Sequence, residues 1–137
     1  MIINRQESYS RQEVHRVLQP GGRFVTQQVG GQNNIGLNQW FEEAIETSNH
    51  EWYLDKEVQN FAEVGFEIVA QNEEFPFTKF NDVGAVVYYL KAIPWQISDF
   101  DIDVYQDRLF ALHKEIQQMG EFRVRSHRFY LEGVKPL

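Results

Sequence analysis

The chain has 137 residues, of which 42% are hydrophobic and none is cysteine, and its formal net charge is −7. This length predicts a single domain over residues 1–137, and the lack of cysteine excludes disulfides and thiolate chemistry. The negative charge repels phosphate backbones and no apolar run is long enough to span a bilayer, so we expect a cytoplasmic protein with no nucleic-acid or membrane partner.

The first elements are a predicted helix and a predicted strand. Ser10 and Glu13 form a capping box, and apolar residues then recur at helical spacing, which predicts a helix over residues 10–19. A Pro-Gly-Gly turn ends it, because proline cannot continue a helix and glycine tolerates left-handed backbone. Residues 24–29 are rich in β-branched and aromatic side chains, which predicts a strand.

The middle of the chain continues this alternation. A patchy helical spacing covers residues 36–46, with Ala44 and Ile45 at its end. A clearer apolar stripe predicts a helix over residues 54–64, closed by the glycine that follows. Residues 66–70 alternate apolar and polar side chains, which predicts a second strand.

Two further helices are predicted in the last third of the chain. Residues 82–94 have strand propensity, but Asp82 is a good cap and the apolar spacing favours a helix over a strand. From residue 105 to residue 119 apolar side chains recur at helical intervals, with Asp101 or Asp103 as the predicted cap.

A terminal strand is predicted over residues 122–134, where apolar side chains again alternate. Its basic run, FRVRSHRF, is typical of the solvent-facing side of a strand. Helices that alternate with strands predict an α/β fold with helices flanking a sheet. A sheet of three strands has unpaired edges, which favour association.

The segment from Glu13 to Phe24, EVHRVLQPGGRF, resembles the pattern E-x-x-R-V-L-x-P-G-G-x-F. That pattern leads into the fifth strand of Rossmann-like S-adenosylmethionine-dependent methyltransferases. The segments NRQESY, TQQVGGQNN, KFNDVGAVVYYLKAIPW and HRF are similar to one branch of bacterial methyltransferases, so the resemblance covers nearly the whole chain.

The resemblance implies a partial Rossmann-like methyltransferase sheet with flanking helices. In that family the strand order is 3-2-1-4-5-7-6, and the seventh strand is antiparallel between the fifth and sixth. Residues 24–29 would be the fifth strand, 66–73 the sixth and 122–134 the seventh, with residues 1–3 as the end of the fourth.

The chain departs from the family in lacking the glycine-rich loop after the first strand and the acidic residue after the second. It therefore resembles the C-terminal half of a methyltransferase. The resemblance implies S-adenosylmethionine as cofactor and methyl transfer to a small-molecule acceptor that the sequence does not identify. Because the missing elements supply most cofactor contacts, we expect weak cofactor binding or none.

Candidate site residues follow from strand direction. Ligands of open α/β sheets bind beyond the carboxyl ends of parallel strands. By the resemblance, Asn4, Arg5 and Gln6 follow the fourth strand and are the candidate cofactor-binding residues, while Gln27 and Gln28 end the fifth strand and are candidate substrate-binding residues. Related proteins often carry histidine where Gln6 stands, so no catalytic residue is assigned.

The insertion before the last strand supplies four more candidate substrate-binding residues, Asp82, Tyr88, Tyr89 and Trp95. A buried aromatic helix face explains the aromatic residues about as well, and Asp82 is more typical of a helix cap than of a ligand. No metal site is predicted, because metal-binding spacing is absent among the four histidines, His15, His50, His113 and His127.

Three hypotheses follow. The first is a partial methyltransferase that is inactive by itself. The second is a non-catalytic α/β domain that binds a partner, or forms a homodimer, through a free sheet edge beside residues 24–29. The third is an independent α+β ligand-binding domain whose likeness to methyltransferases is accidental.

Overall fold

The structure, a computed structural model, describes residues 1–43 and 52–137. The end of the helix predicted over residues 36–46, with Ala44 and Ile45, lies outside the described residues, and so does His50. The described residues form two compact units, the first made of residues 1–33, 52–75 and 127–137 and the second of residues 34–43 and 76–126. The single domain remains a prediction.

The helices and strands agree with most of the predicted elements. In chain order they are β1 (Ile2–Arg5), α1 (Arg11–Val17), β2 (Arg23–Val29), α2 (Ile35–Trp40), α3 (Leu54–Val64), β3 (Glu67–Glu74), β4 (Phe77–Phe80), α4 (Val83–Ala92), α5 (Gln106–Met119), β5 (Phe122–Arg125) and β6 (Arg128–Val134).

The first unit contains a four-stranded sheet in the order β1-β2-β6-β3. Strand β1 is parallel to β2, and β6 is antiparallel to both β2 and β3. If β1, β2, β3 and β6 are taken as the fourth, fifth, sixth and seventh strands, this is the order that the resemblance implied. It excludes the self-contained α+β sheet of the third hypothesis, because β2 and β3 run in the same direction on either side of β6.

The predicted position of the free edge was wrong. Strand β2 lies inside the sheet, because β1 pairs with it from Ile2 opposite Phe24 to Arg5 opposite Gln27. Within the described residues, the edge strands of this sheet are β1 and β3.

The terminal strand over residues 122–134 was also predicted incorrectly as one strand. Strand β5 pairs with β4 in a separate two-stranded sheet of the second unit, and only β6 enters the main sheet. Strand β4 was not predicted, because its four residues follow Pro76 and are too few to show a pattern. Arg123 and Arg125 lie exposed on β5, as expected for the solvent-facing side of a strand, but His127 of the same run is buried, which the prediction did not anticipate.

Helix boundaries follow the local capping signals in two cases and depart from them in one. The Ser10 side chain accepts a hydrogen bond from the backbone N–H of Glu13, and Asp82 caps α4 by accepting one from Ala85. Helix α5 instead begins after Tyr105 without a side-chain cap. The Asp101 carboxylate accepts from the N–H of Asp103 and closes a turn before the helix, so neither predicted aspartate is its cap.

Each unit buries its own apolar core. Helices α1 and α3 contribute to the core of the first unit, which lies against one face of the sheet and contains Leu18, Phe24, Leu54, Phe61, Phe66, Phe129 and Leu131. The core of the second unit contains Leu37, Phe41, Phe80, Val86, Leu90, Ile97, Leu109, Leu112, Ile116 and Val124. Each fully buried side chain of this kind contributes about 1.5–3 kcal/mol by leaving water.

The buried side chain of His127 contacts several segments of the first unit. His127 is 1% exposed and its ring stacks on Phe75 with centroids 4.5 Å apart. Its Nδ1 accepts a hydrogen bond from the backbone N–H of Gln32 at 3.1 Å, so the ring proton is on Nε2. The Nε2–H group donates a hydrogen bond to Glu73 Oε2 at 2.8 Å. The same oxygen accepts from the N–H of Leu54 and caps α3. The histidine is thereby held in one orientation.

Candidate functional site

The first unit has a cleft beside the carboxyl ends of the parallel strands β1 and β2. Its volume is about 260 Å³, and its lining residues are Gln6, Glu7, Ser8, Tyr9, Arg11, Gln28 and Trp52. Open α/β sheets bind ligands at this end of their parallel strands. The cleft is therefore the candidate functional site.

A polar network that joins the two strands holds the cleft residue Gln28. The Oδ1 atom of Asn4 accepts from Thr26 Oγ1 at 2.9 Å and from Gln28 Nε2 at 2.7 Å. The same Gln28 nitrogen is 3.1 Å from the backbone oxygen of Glu7. Thr26 and Gln28 are buried, so this network holds Gln28 in place.

A buried carboxylate holds two other residues of the cleft. Glu57 lies on α3 and is 0% exposed. Its Oε1 accepts from the Tyr9 hydroxyl at 2.8 Å and from Arg11 Nε at 2.7 Å, while Oε2 accepts from Arg11 Nη2 at 2.7 Å and from Asn60 at 3.1 Å. Two-point contact with a guanidinium fixes both groups, so Glu57 sets the position of two cleft residues.

These contacts determine the protonation of the cleft residues. Burial, followed by the negative charge of Glu57, raises the pKa of Tyr9 well above its ordinary value, so the phenol stays neutral. The hydrogen bond to Glu57 raises the pKa of Arg11, which stays cationic. Tyr9 therefore keeps its proton and donates a hydrogen bond to Glu57, and Arg11 neutralises the buried carboxylate.

The candidate cofactor and substrate residues of the first unit are only partly brought together. Asn4 and Gln28 share a hydrogen bond, and Gln6 lines the same cleft. The backbone N–H of Gln6 donates to the carbonyl of Gln27, but the Gln27 side chain lines a different cavity of about 110 Å³ with Tyr130 and four other residues. Arg5 is exposed and lines neither cavity.

The other four candidates belong to the second unit. Asp82 is the cap of α4, as its residue type favoured. Tyr89 packs against the core of that unit, and its hydroxyl accepts from the Asn34 side chain. Tyr88 and Trp95 are exposed, at 77% and 68%. Their role in substrate binding remains a prediction.

Sequence reasoning missed the residues that shape the cleft. Tyr9 follows β1 and lies in the segment NRQESY. That segment contributes to the resemblance, but nothing in it indicates a role for Tyr9. Glu57 falls on the apolar stripe of α3, between Leu54 and Phe61 at positions i, i+3 and i+7. A carboxylate on the apolar side of a helix needs a buried partner, and that is the signal that could have identified it.

The second unit has a larger cavity of about 310 Å³. Its exposed lining surface is almost entirely apolar, although Gln106 and His113 are among the lining residues, and none of the predicted substrate residues lines it. A ligand site needs a few convergent polar groups to orient its ligand. The cleft of the first unit has them and is the better candidate.

The residues present do not form a complete S-adenosylmethionine site. A cleft of about 260 Å³ is below the roughly 300–1,000 Å³ that ligand-sized pockets occupy. Of the three candidate cofactor residues, Arg5 and Gln6 are exposed and Asn4 is engaged with Thr26 and Gln28. The cleft can therefore hold a small molecule, or one part of a larger ligand.

Residues 1–43 and 52–137 contain neither a metal-binding cluster nor a helix that could span a membrane. No group of three or more histidine, aspartate or glutamate side chains is placed to hold a metal ion there. The helices in this part of the chain are all too short or too polar to cross a membrane.

Comparisons with known proteins bear on the fold. No family model and no curated protein matches the sequence. Among solved structures, a candidate methyltransferase from Bacillus halodurans is 15% identical over 93% of this chain and 62% of its own, with a TM-score of 0.51.

Two other similar structures have lower TM-scores. Phosphoethanolamine N-methyltransferase 2 of Haemonchus contortus, solved with S-adenosyl-L-methionine, is 12% identical over 98% of this chain and 33% of its own, with a TM-score of 0.44. A candidate sarcosine dimethylglycine methyltransferase from Galdieria sulphuraria is 12% identical over 98% of this chain and 52% of its own, with a TM-score of 0.43.

The chain spans less than two thirds of the length of each of these proteins. The similarity lies in the C-terminal part of these proteins. The predicted fold class is confirmed: this chain has the α/β fold of the C-terminal part of a Rossmann-like methyltransferase.

Proposed function

We propose that this chain forms the acceptor side of an S-adenosylmethionine-dependent methyltransferase and is inactive by itself. The observation that carries the proposal is the polar cleft beside the carboxyl ends of parallel β1 and β2, in a sheet of the methyltransferase order. The cofactor, when bound, supplies a methyl group on a sulfonium sulfur. The acceptor remains an unidentified small molecule.

The protein's contribution to such a reaction is alignment, because the leaving group belongs to the cofactor. Asn4 and Thr26 hold the cleft residue Gln28, and Glu57 holds the cleft residues Tyr9 and Arg11. None of these residues needs to change its protonation state to position an acceptor. The proposal therefore assigns them binding and orienting roles.

Calorimetric titration of residues 1–137 with S-adenosylhomocysteine tests the proposal. We expect no binding in the micromolar range, because the cleft is too small to enclose the cofactor and the glycine-rich loop is absent from the sequence. If the reading frame upstream of Met1 encodes a glycine-rich loop, the extended chain should bind with a micromolar Kd. Micromolar binding by residues 1–137 alone would contradict the proposal.

A second function, self-association, is favoured by the exposed side chains of one edge strand. Ile3 on β1 is 72% exposed and Met1 is 77% exposed. An edge strand with free backbone groups and apolar side chains can pair with another chain. We propose that β1, rather than β2, is the strand through which two copies would associate.

Sedimentation velocity tests this association. We expect a dimer for the unmodified chain and a monomer for Ile3→Lys, because a charge on an edge strand opposes pairing and Ile3 is too exposed to matter for folding. Val69→Lys, at a half-exposed position on the other edge strand β3, is the matched control and should remain dimeric. A monomeric unmodified chain, or loss of the dimer in the Val69 variant alone, would refute the role of β1.

A further inference from the structure

The cleft of the first unit presents a hydrogen-bond acceptor to solvent. Both polar hydrogens of the Gln28 side chain are engaged, since its Nε2 lies near Asn4 Oδ1, Thr26 Oγ1 and the backbone oxygen of Glu7. Its orientation is thereby determined, because turning the amide would bring its oxygen against the carbonyl of Glu7. The amide oxygen of Gln28 must face away from this network.

Within residues 1–43 and 52–137, no group donates a hydrogen bond to that amide oxygen. Among the described residues, the buried side-chain atom without a hydrogen-bond partner is Glu121 Oε2, so the Gln28 oxygen is not sealed from solvent. Gln28 as a residue is only 7% exposed, and it lines the cleft. A ligand with an N–H or O–H donor would satisfy this oxygen.

The charge at the cleft is negative. Arg11 is neutralised by two-point contact with the buried carboxylate of Glu57. Glu7 also lines the cleft, and its side chain forms no ion pair within residues 1–43 and 52–137. The carboxylate of Glu7 therefore remains as the uncompensated charge at this site and favours a cation over an anion.

An aromatic side chain completes the lining. Trp52 lies partly exposed at the cleft, with its ring edge-to-face against Phe129 at a centroid distance of 5.3 Å. Its backbone oxygen accepts from Gly31, which holds the residue against the sheet. Tryptophan is the side chain that attracts organic cations most strongly through its ring.

We propose that this cleft binds a small organic cation, a protonated amine. The ammonium N–H groups donate to the Gln28 amide oxygen and to the Glu7 carboxylate, and the carbon body packs against Trp52. This deepens the proposed function, on which the identification of the amine as the methyl acceptor rests. For methyl transfer the bound ammonium would first lose one proton to water, and the freed nitrogen lone pair would form the N–C bond as the C–S bond of the sulfonium breaks. The binding itself does not depend on methyl transfer.

The probe is a set of three ligands with one shared ring. Benzylammonium, benzyl alcohol and benzoate differ mainly in charge, and each is small enough for a cleft of about 260 Å³. Titration is followed by ¹H–¹⁵N spectra of residues 1–137, in which the indole N–H of Trp52 reports on the cleft. The indoles of Trp40 and Trp95, which belong to the second unit, are internal controls.

We expect benzylammonium to shift the Trp52 resonance and to bind about tenfold more tightly than benzyl alcohol, with benzoate the weakest. Glu7→Gln should weaken the binding of benzylammonium about threefold and leave the affinity for benzyl alcohol unchanged. Glu67→Gln removes an exposed carboxylate at the opposite end of the sheet and is the matched control for net charge. It should bind like the unmodified chain.

Three results would overturn the proposal: benzoate binding as tightly as benzylammonium, equal shifts at all three indoles, or no shift at Trp52. None of these results bears on the S-adenosylhomocysteine titration. Failure of cation binding is therefore distinguishable from failure of the proposed methyltransferase function.

Discussion

Replacement of Glu57 by leucine is expected to lower the free energy of unfolding by about 3 kcal/mol. The substitution removes the acceptor of the Tyr9 hydroxyl and the partner of the Arg11 guanidinium. Loss of one partner from a fully buried ion pair lowers stability by more than this. The effect is smaller here because the Arg11 side chain is 31% exposed and water can reach it. Urea denaturation followed by far-UV circular dichroism measures the loss.

A double-mutant cycle separates the ion pair from simple packing. Arg11→Met should clearly lower the free energy of unfolding of the unmodified chain. In the Glu57→Leu background it should change that free energy very little, because the arginine there has no partner to lose. Glu63→Leu, an exposed position on the same helix, should change stability by less than about 0.5 kcal/mol. Additive effects of Glu57 and Arg11 would contradict the structural role assigned to the pair.

The cluster has a consequence for the cleft as well as for stability. Tyr9 and Arg11 line the cleft, and Glu57 is the group that positions both. In the Glu57→Leu chain Arg11 also loses its counter-ion, so the cleft becomes less negative. Benzylammonium should therefore bind Glu57→Leu more weakly than it binds the unmodified chain, provided the variant is folded at the temperature used.

Gly30→Ala is expected to destabilise the chain by about 3 kcal/mol. A Cβ atom at this position would lie 2.1 Å from His127 Nδ1 and 2.3 Å from its Cγ. The ring cannot retreat, because it stacks on Phe75 and bonds to Gln32 and Glu73. Thermal or urea unfolding of the variant measures the cost.

A second substitution tests whether His127 is the cause. His127→Ala removes the ring and its hydrogen bonds, which should cost about 2 kcal/mol by itself. Adding Gly30→Ala to that variant should then lower the free energy of unfolding only slightly, because the space that the ring occupied is empty. If Gly30→Ala remains equally destabilising without the imidazole, the clash with His127 is not its origin.

Elements with strong local signals were predicted well. The capping side chain of Ser10 and the glycine after residue 64 bounded α1 and α3, and Gly65 adopts the left-handed conformation expected of it at φ 110°. The Pro-Gly-Gly turn also behaves as predicted, with Gly21 at φ 82°. Such signals act within a few residues, so they are visible in the sequence.

Pairings between distant segments were not visible in the same way. Strand β4 is four residues long, and it forms because it meets β5, with Phe77 opposite Arg125. The sequence of neither strand contains a pattern that indicates pairing with the other. The division of the predicted terminal strand into β5 and β6 follows from those separate pairings.

The sequence by itself determined the elements that have strong local signals and, through its resemblance, the order of the main sheet. Only the tertiary structure decided the candidate site, because Glu57 meets Tyr9 and Arg11 across separations of 48 and 46 residues. Contacts of that kind depend on how packed elements bring distant side chains together. Local propensity carries no information about them, since it acts over a few residues along the chain.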